Sequence, residues 1–398
     1  RVRRDFDQAL LVAMFTHNLN WEGAPKQMQE IAGFLHRHST IKPLIFSPKD
    51  GPLRGLYEKM GIKVRVFAHP LIKHHTLPGY LEAIGEIGAL LADEAVDVVY
   101  ANTLHGFVAV DAAREAQLPC LWAIHESEGW RHYFDFVPPT LRSRPIECFS
   151  YPYRVVFVAK QTRQIYRELD WYHNFTVIPN GLEPGSVDLP SEAEKRAARR
   201  AVGLGESDIG VLSVGTVCER KRQLDLVEAI ARLHEDVFKS REVHFFIVGD
   251  RENEYSSRMH AAMETLSPER RKRLTVLPET PNVVDFYHAC DIFVLTSGME
   301  SYPRVILEAM SAGLAILTTP VNGVVEQVRE GINADYFPVG DIRQLTARLT
   351  ALIQDSQRRE NYRVASPVVL QGLTDYEEMG GSYARLFHEA ALASVPDA

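Results

Sequence analysis

The sequence predicts an α/β protein built from two doubly wound parallel-sheet domains. Three observations predict it. Short apolar, β-branched runs recur along nearly the whole chain, amphipathic stretches separate most of them, and a turn-rich break near residue 182 restarts the pattern. Continuous apolar strands alternating with helices suit a sheet covered on both faces, because neither face then meets water. The chain has 398 residues, and at roughly 100–200 residues per domain that is two or three compact units.

In the first half, strands are expected over 8–16, 43–46, 63–67, 97–101, 120–124, 154–158 and 176–178, with helices over 24–37, 78–93, 107–116 and 160–169. The break is Pro179-Asn-Gly-Leu-Glu-Pro-Gly185, with Pro190-Ser191 beyond it; these residue types favour turns. In the second half, strands are expected over 210–214, 243–248, 274–277, 292–295 and 315–318, and helices over 223–234, 255–266, 303–312 and 342–354. A last helical pattern covers 375–393. The expected domains are 1–182 and 183–374. No repeat of 20–50 residues and no low-complexity tract interrupts them.

Hydrophobic residues make up 45% and charged residues 24%, ordinary for a soluble globular protein. A net charge of −8 excludes a global basic field that recruits nucleic acid. Basic clusters at Arg1-Val-Arg3-Arg4, Lys195-Arg196 with Arg199-Arg200, and Arg270-Arg271-Lys272-Arg273 read as solvated helix faces and helix C-termini. Their alternative reading is contact with an anionic membrane surface or an anionic acceptor. No run reaches the ~18 apolar residues of a bilayer-spanning helix, and no signal-peptide pattern is visible. The opening at Arg1 rather than Met reads as a processed or excised segment. Cys120, Cys148, Cys218 and Cys290 are scattered, with no CxxC and no Cys/His cluster. They read as free thiols of a reducing compartment, and no metal site is expected. The expected location is cytoplasmic, with peripheral contact at the inner face of a membrane as the variant.

Ligands of open α/β sheets sit at the carboxyl ends of strands, and two such sheets make the cleft between them the natural site. Post-strand loops therefore carry the argument. After the strand ending at Leu295 comes Thr296-Ser-Gly-Met-Glu-Ser-Tyr-Pro303, and Pro303 suits the first turn of a helix. Free N–H groups near Arg304 and Val305, together with the helix dipole, would attract phosphate. Glu300 and Glu308 stand eight residues apart. Carboxylates accept vicinal hydroxyls well, so one could grip a sugar and the other a ribose. The plainer reading makes Glu300 a partner of the helix dipole and Glu308 a surface charge.

A second loop, Val214-Gly-Thr-Val-Cys-Glu-Arg220-Lys221-Arg222, follows the first strand of the second half. Gly215 permits close backbone approach, and two adjacent cations could neutralise a pyrophosphate; the plainer reading is an exposed basic turn. Val248-Gly249-Asp250 repeats the strand-then-glycine device. In the first half, Glu22-Gly23-Ala24-Pro25 follows the first strand and His125-Glu126 follows the strand ending at Ile124. Neither G-x-G-x-x-G nor a P-loop is present.

Together these segments resemble the retaining GT-B glycosyltransferases of the glycogen-synthase-like group, family 4 (group 1). Asp291-Ile-Phe-Val-Leu-Thr-Ser297 with Glu300-Ser-Tyr-Pro-Arg-Val-Ile-Leu-Glu308-Ala-Met-Ser-Ala-Gly313 is similar to the family's donor-site signature. Ile178-Pro-Asn-Gly181 resembles its hinge motif and Gly323-Val-Val-Glu326 a further shared element. The resemblance implies a GT-B fold, two doubly wound Rossmann-like domains facing across a cleft, with the final helix, 375–398, crossing back onto the first.

It also implies transfer of a sugar from a nucleotide-diphosphate-sugar donor to a glycan, lipid-linked or small-molecule acceptor, with retention. Glu300 would contact the donor sugar hydroxyls, Glu308 the ribose, and Arg220 and Lys221 the diphosphate. Ser301, Tyr302 and Pro303 would lie beside sugar and phosphate, with Val305, Gly215 and Gly249 completing the donor-binding set. Gly23 matches the family's glycine loop, although Glu22 replaces the first of its usual Gly-Gly pair. His125 matches the histidine near the sugar. No cofactor and no metal is implied. Trp21, Trp130, Tyr133 and Phe134 read either as an acceptor surface or as core, and backbone at 281–284 as a reader of the base. The alternatives are a catalytically silent GT-B subunit that binds a partner enzyme or glycan, and an epimerase or hydrolase on the same fold.

Overall fold

The computed structural model describes residues 9–240, 242–280 and 282–393. The chain divides into two units, one ending at Gly181 and taking the chain back from Thr374, the other spanning Leu182–Leu373. Each unit is built on one parallel sheet.

In the first unit the strands are β1 (Leu10–Phe15), β2 (Ile41–Ser47), β3 (Val64–Val66), β4 (Val98–Asn102), β5 (Cys120–Ile124), β6 (Arg154–Phe157) and β7 (Phe175–Val177). Their order across the sheet is β3-β2-β1-β4-β5-β6-β7, and every pair is parallel. Strand side chains alternate in direction, so β1 serves two cores. Ala13 and Phe15 join one with Leu44, Phe46 and Trp122, while Val12 and Met14 join the other with Ile31, Leu35 and Tyr100.

The second core is closed by the helix Tyr376–Leu392, whose Tyr376, Met379, Tyr383, Phe387 and Ala390 recur at helical spacing and are buried. A Cβ on Gly380 would meet the Phe34 ring at 2.3 Å, so only glycine lets this helix lie against Gly23–His38.

In the second unit the strands are β8 (Ile209–Val214), β9 (Val243–Asp250), β10 (Leu274–Pro278), β11 (Ile292–Leu295), β12 (Ala315–Thr318) and β13 (Ala334–Tyr336). The order is β10-β9-β8-β11-β12-β13, again parallel throughout. Both sheets reverse direction of growth at one place, between β1 and β4 in the first and between β8 and β11 in the second. Loops leaving the carboxyl ends of those strands diverge to opposite faces, and the crevice they leave is where such sheets take ligands.

Several expectations need correction. The strand β13 and the 16-residue helix Ser356–Gln371 are additional elements. So is Glu192–Val202, which opens on a capping box in which Ser191 and Glu194 bond reciprocally. The stretch 160–169 is not one helix: Lys160–Ile165 ends before a separate tight turn, Arg167–Leu169. Arg199 is not a solvated charge. It is buried, and its guanidinium donates to the carbonyls of Gly205, Asp208 and Ala289, while Lys195 pairs with Asp291 at 3.2 Å. Arg270 donates to the Leu233 carbonyl and pairs with Glu235. The cluster at Arg1-Val-Arg3-Arg4 lies outside the described residues.

Among the described residues no helix is long and apolar enough to cross a membrane. No group of three or more His, Cys, Asp or Glu there could hold a metal ion, and the four cysteines are unbridged.

Candidate active site

The switch point of the second sheet gathers the charges singled out by sequence. The loop after β8 delivers Arg220 and Lys221, and the loop after β11 delivers Glu300. Lys221 Nζ stands 2.5 Å from Glu300 Oε1, and Arg220 Nη1 stands 3.3 Å from Glu300 Oε2. Backbone and hydroxyl bonds stitch the two loops together. Gly298 N–H donates to the Arg220 carbonyl at 2.9 Å, Thr296 Oγ1 to the Lys221 carbonyl at 2.8 Å, and Arg220 Nη1 to the Met299 carbonyl at 3.0 Å.

The two cations differ in exposure: the Lys221 side chain is 12% exposed, Glu300 6%, and Arg220 50%. Lys221 is therefore no surface turn residue, and Glu300 does more than complement a helix dipole. Burial works to raise the Glu300 carboxyl. The charges of Lys221 and Arg220, with hydrogen bonds from Lys221 and Ser297 (Oγ to Oε1, 2.7 Å), outweigh it and hold the group below its ordinary range. The acid is ionised at neutral pH.

Next to this cluster the helix Arg304–Ser311 begins. Pro303 is not in its first turn as expected; it is the residue preceding the helix, with extended backbone, and its carbonyl accepts from Gln327 Nε2 at 3.0 Å. Its fixed φ still sets the entry of the chain. Ser301 and Tyr302 are buried in the connecting loop. Arg304 and Val305 occupy the first turn, where N–H groups lack intrahelical acceptors. Glu308 lies one turn along and is half-buried, not a free surface charge; the buried Tyr287 donates its phenol to Glu308 Oε2 at 2.8 Å. Both oxygens of Glu300 and one of Glu308 are thus engaged within the protein.

Backbone geometry shapes the floor. Gly215 has φ +144° and lies against the Lys221 side chain, while Gly249 has φ +120°. A Cβ on Gly249 would stand 2.4 Å from the Gly215 carbonyl oxygen, a distance no real Cβ shows. Gln223 completes the loop, its buried amide donating to the carbonyls of Gly215 and Thr216 at 3.1 and 3.2 Å. Sequence reasoning assigned no role to Gln223, Tyr287 or Ser297. The β-strand-glycine signal near Gln223 was local, whereas Tyr287 reaches Glu308 across 21 residues.

In the first unit, polar side chains gather on the loops after β1, β4 and β5. Glu22 precedes the helix Gly23–His38 and accepts from His17 Nε2 at 3.2 Å and Asn18 Nδ2 at 3.1 Å. Thr103, with the rare φ of +70° for a β-branched residue, brings its hydroxyl 3.5 Å from His17 Nδ1. Gly23 opens the helix, and a Cβ there would meet nothing within 4 Å, so internal packing does not demand glycine.

His125 is half-buried with its Nε2 enclosed and without a hydrogen-bond partner among the described residues. Burial, then the nearby His17, push its pKa down to about 3, so the ring is neutral. His105 is pushed down to about 4 in the same way. Sequence reasoning did not assign roles to His17, Glu22, Thr103, His105 or Glu126.

Of the aromatics, Phe134 is core, Trp130 and Tyr133 pack partly buried against it, and Trp21 is exposed. The stretch 281–284 begins at Pro281, which lies outside the described residues. Beyond it, Asn282 N–H donates to the Thr280 hydroxyl and Val283 opens a helix.

The comparisons with known proteins agree with this architecture. Residues 194–367 match the family model described as glycosyl transferases group 1, and residues 23–181 match a glycosyl transferase 4-like domain. The chain is 25% identical over 327 residues to the UDP-Gal:alpha-D-GlcNAc-diphosphoundecaprenol alpha-1,3-galactosyltransferase of Escherichia coli, covering 77% of this chain and 79% of that protein. It is 28% identical over 263 residues to the N,N'-diacetylbacillosaminyl-diphospho-undecaprenol alpha-1,3-N-acetylgalactosaminyltransferase of Campylobacter jejuni, 63% of this chain and 65% of that one. Among solved structures, HepE of Anabaena in complex with UDP-glucose superposes with a TM-score of 0.80 at 20% identity, over 94% of this chain and 98% of that one. That likeness shows the fold. With both units matched, the chain belongs to the group 1 glycosyl transferases of family 4 and has the GT-B fold.

Proposed function

We propose that the chain moves a sugar from a nucleoside-diphosphate donor to an acceptor hydroxyl, with retention of configuration and without a metal ion. The observation that carries this reading is the cluster of Lys221, Arg220 and the buried, ionised Glu300 at the switch point of the second sheet, beside a helix N-terminus. Charge builds on the diphosphate as the glycosidic bond breaks. Two positioned cations and aligned amides bind that charge more strongly in the transition state than in the ground state.

Glu300 takes the sugar hydroxyls, and its proximity to Lys221 keeps sugar and diphosphate sites in register. Glu308, oriented by Tyr287, takes the ribose diol. Ser301, Tyr302 and Val305 line the donor's path, and Gly215 and Gly249 let it approach the backbone. In the first unit, Gly23, at the start of its helix, is assigned to the anionic donor and the neutral His125 ring to the sugar. The acceptor oxygen attacks on the face the nucleotide leaves, and its proton passes to the departing phosphate. Excluding water limits hydrolysis.

The UDP-glucose complex of HepE supports a nucleotide-sugar donor. The diphosphoundecaprenol-linked acceptors and alpha-1,3 linkages in the names of the two relatives support a lipid-linked acceptor and retention. Such an acceptor would bring the chain to the inner face of a membrane as a peripheral protein.

A panel of nucleoside diphosphates tests the donor assignment. A ligand at 100 times its Kd stabilises the folded state by about 2.7 kcal/mol. One member of the panel is therefore expected to raise the melting temperature by several degrees with EDTA present, and its sugar conjugate to be consumed when acceptor is added. No shift with any member favours a catalytically silent subunit; consumption without acceptor favours an epimerase or hydrolase; a shift that EDTA abolishes refutes metal independence.

A further inference from the structure

One carboxylate ties together the loops that leave β4 and β5. Glu126 Oε2 accepts the backbone N–H of Leu104 at 3.1 Å, in the loop after β4, and that of His125 at 3.0 Å, in the loop after β5. The two loops leave neighbouring strands, and β4 borders the switch point of the first sheet. A backbone N–H held by a fixed acceptor restricts the rotation of its own residue, so this bond directs how the His125 side chain leaves the main chain. The Nε2 of that ring meets no partner among the described residues, so no hydrogen bond at its far end does the orienting.

We propose that Glu126 is a positioning residue of the transfer reaction: its ionised carboxylate, bonded to the N–H groups of Leu104 and His125, sets where the His125 imidazole stands. The inference rests on the reading of the chain as a nucleotide-sugar transferase in which His125 serves the transferred sugar.

Charge is the feature that separates this role from a structural one. A carboxylate accepts N–H bonds about twice as strongly as a neutral oxygen. Burial opposes that charge and raises the carboxyl to about 7, against the lowering pull of the Leu104 and His125 N–H groups and of His17. The other groups facing it are the Tyr133 and Tyr166 phenols, raised by burial first and by the Glu126 charge next, with Glu128 contributing to both. A carboxyl raised on folding stabilises the protein fully below its ordinary value of 4.5, and that contribution is lost as pH rises through about 7. The ionised form therefore weakens the fold while strengthening the tie.

Glu126→Gln keeps an accepting oxygen and removes the charge. The full chain is compared as wild type, Glu126→Gln and Glu126→Ala. Glu126→Gln is expected to melt progressively higher than wild type from pH 5 to pH 8, yet to transfer roughly 10-fold more slowly at pH 8, a misplacement effect that falls on kcat with donor KM unchanged. Wild-type kcat is expected to rise between pH 6 and 8, and the variant to lack that rise. In ligand-free protein, Glu126→Ala is expected to lose hydrogen-exchange protection at both the Leu104 and His125 amides.

A Glu126→Gln enzyme with wild-type kcat and pH profile overturns the inference alone, as does undiminished protection in Glu126→Ala. Failure of the wild type to transfer any sugar overturns the functional reading, and the inference with it.

Discussion

Lys221→Ala is expected to lower kcat/KM roughly 10³-fold while the protein still folds, the loss seen when one positioned donor to a developing anion is removed. Lys221 is the cation with the shorter contact to Glu300, 2.5 Å against 3.3 Å for Arg220, and the less exposed of the two. Its removal has a second cost. Glu300 stays buried with only Arg220 and Ser297 to compensate it, and breaking a buried pair by removing one partner costs about 3 kcal/mol or more.

The pH dependence of that deficit has a definite sign. Glu300 is held below its ordinary 4.5 in the folded protein, so the pair's stabilisation is present above 4.5 and lost as pH falls through the folded value. The deficit of Lys221→Ala in urea unfolding is therefore expected in full at pH 7 and to shrink in acid. The double variant Lys221→Ala, Glu300→Gln is expected to recover stability and no activity. An equally stable, fully active Lys221→Ala removes the cation pair from the mechanism.

Gly249→Ala is the second large effect. The backbone there has φ +120°, which L side chains rarely adopt, and the new Cβ would stand 2.4 Å from the Gly215 carbonyl oxygen. Strain of that kind costs about 1–3 kcal/mol before any clash is relieved. Relief requires movement of the Gly215 loop, which Gln223 holds and which lies against Lys221. Stability is thus expected to fall by about 3 kcal/mol, and nucleotide-diphosphate affinity to fall with it. Gly23→Ala provides the contrast in stability alone: its Cβ meets nothing, so unfolding free energy is expected to change by less than about 1 kcal/mol. Wild-type stability and affinity in Gly249→Ala would refute the close packing of the two glycines.

Most of the fold was legible because buried parallel strands leave a strong local trace. The apolar runs that became β1, β8 and β9 could hardly lie anywhere but in a sheet core. The strand β13 is three residues, Ala334–Tyr336, too short to show a period. The helix Ser356–Gln371 buries little more than Tyr362 and Ser366 and contains Pro367, so its amphipathic signal is weak. Glu192–Val202 was legible in principle, through the Ser191/Glu194 capping box, but its polar surface resembles a linker.

The site divides in the same way. Arg220, Lys221 and Glu300 stand in recognisable post-strand loops, and Glu308 on the helix that follows one of them. That Lys221 and Glu300 touch, that Tyr287 orients Glu308, and that Glu126 spans two loops are facts of tertiary packing, which no local pattern records.

The most direct measurement is a crystal structure of the chain with its stabilising nucleoside diphosphate. The diphosphate is expected within hydrogen-bond distance of Arg220 and Lys221, with the ribose hydroxyls on Glu308. A nucleotide bound with its phosphates away from both cations, and its ribose away from Glu308, would contradict the account.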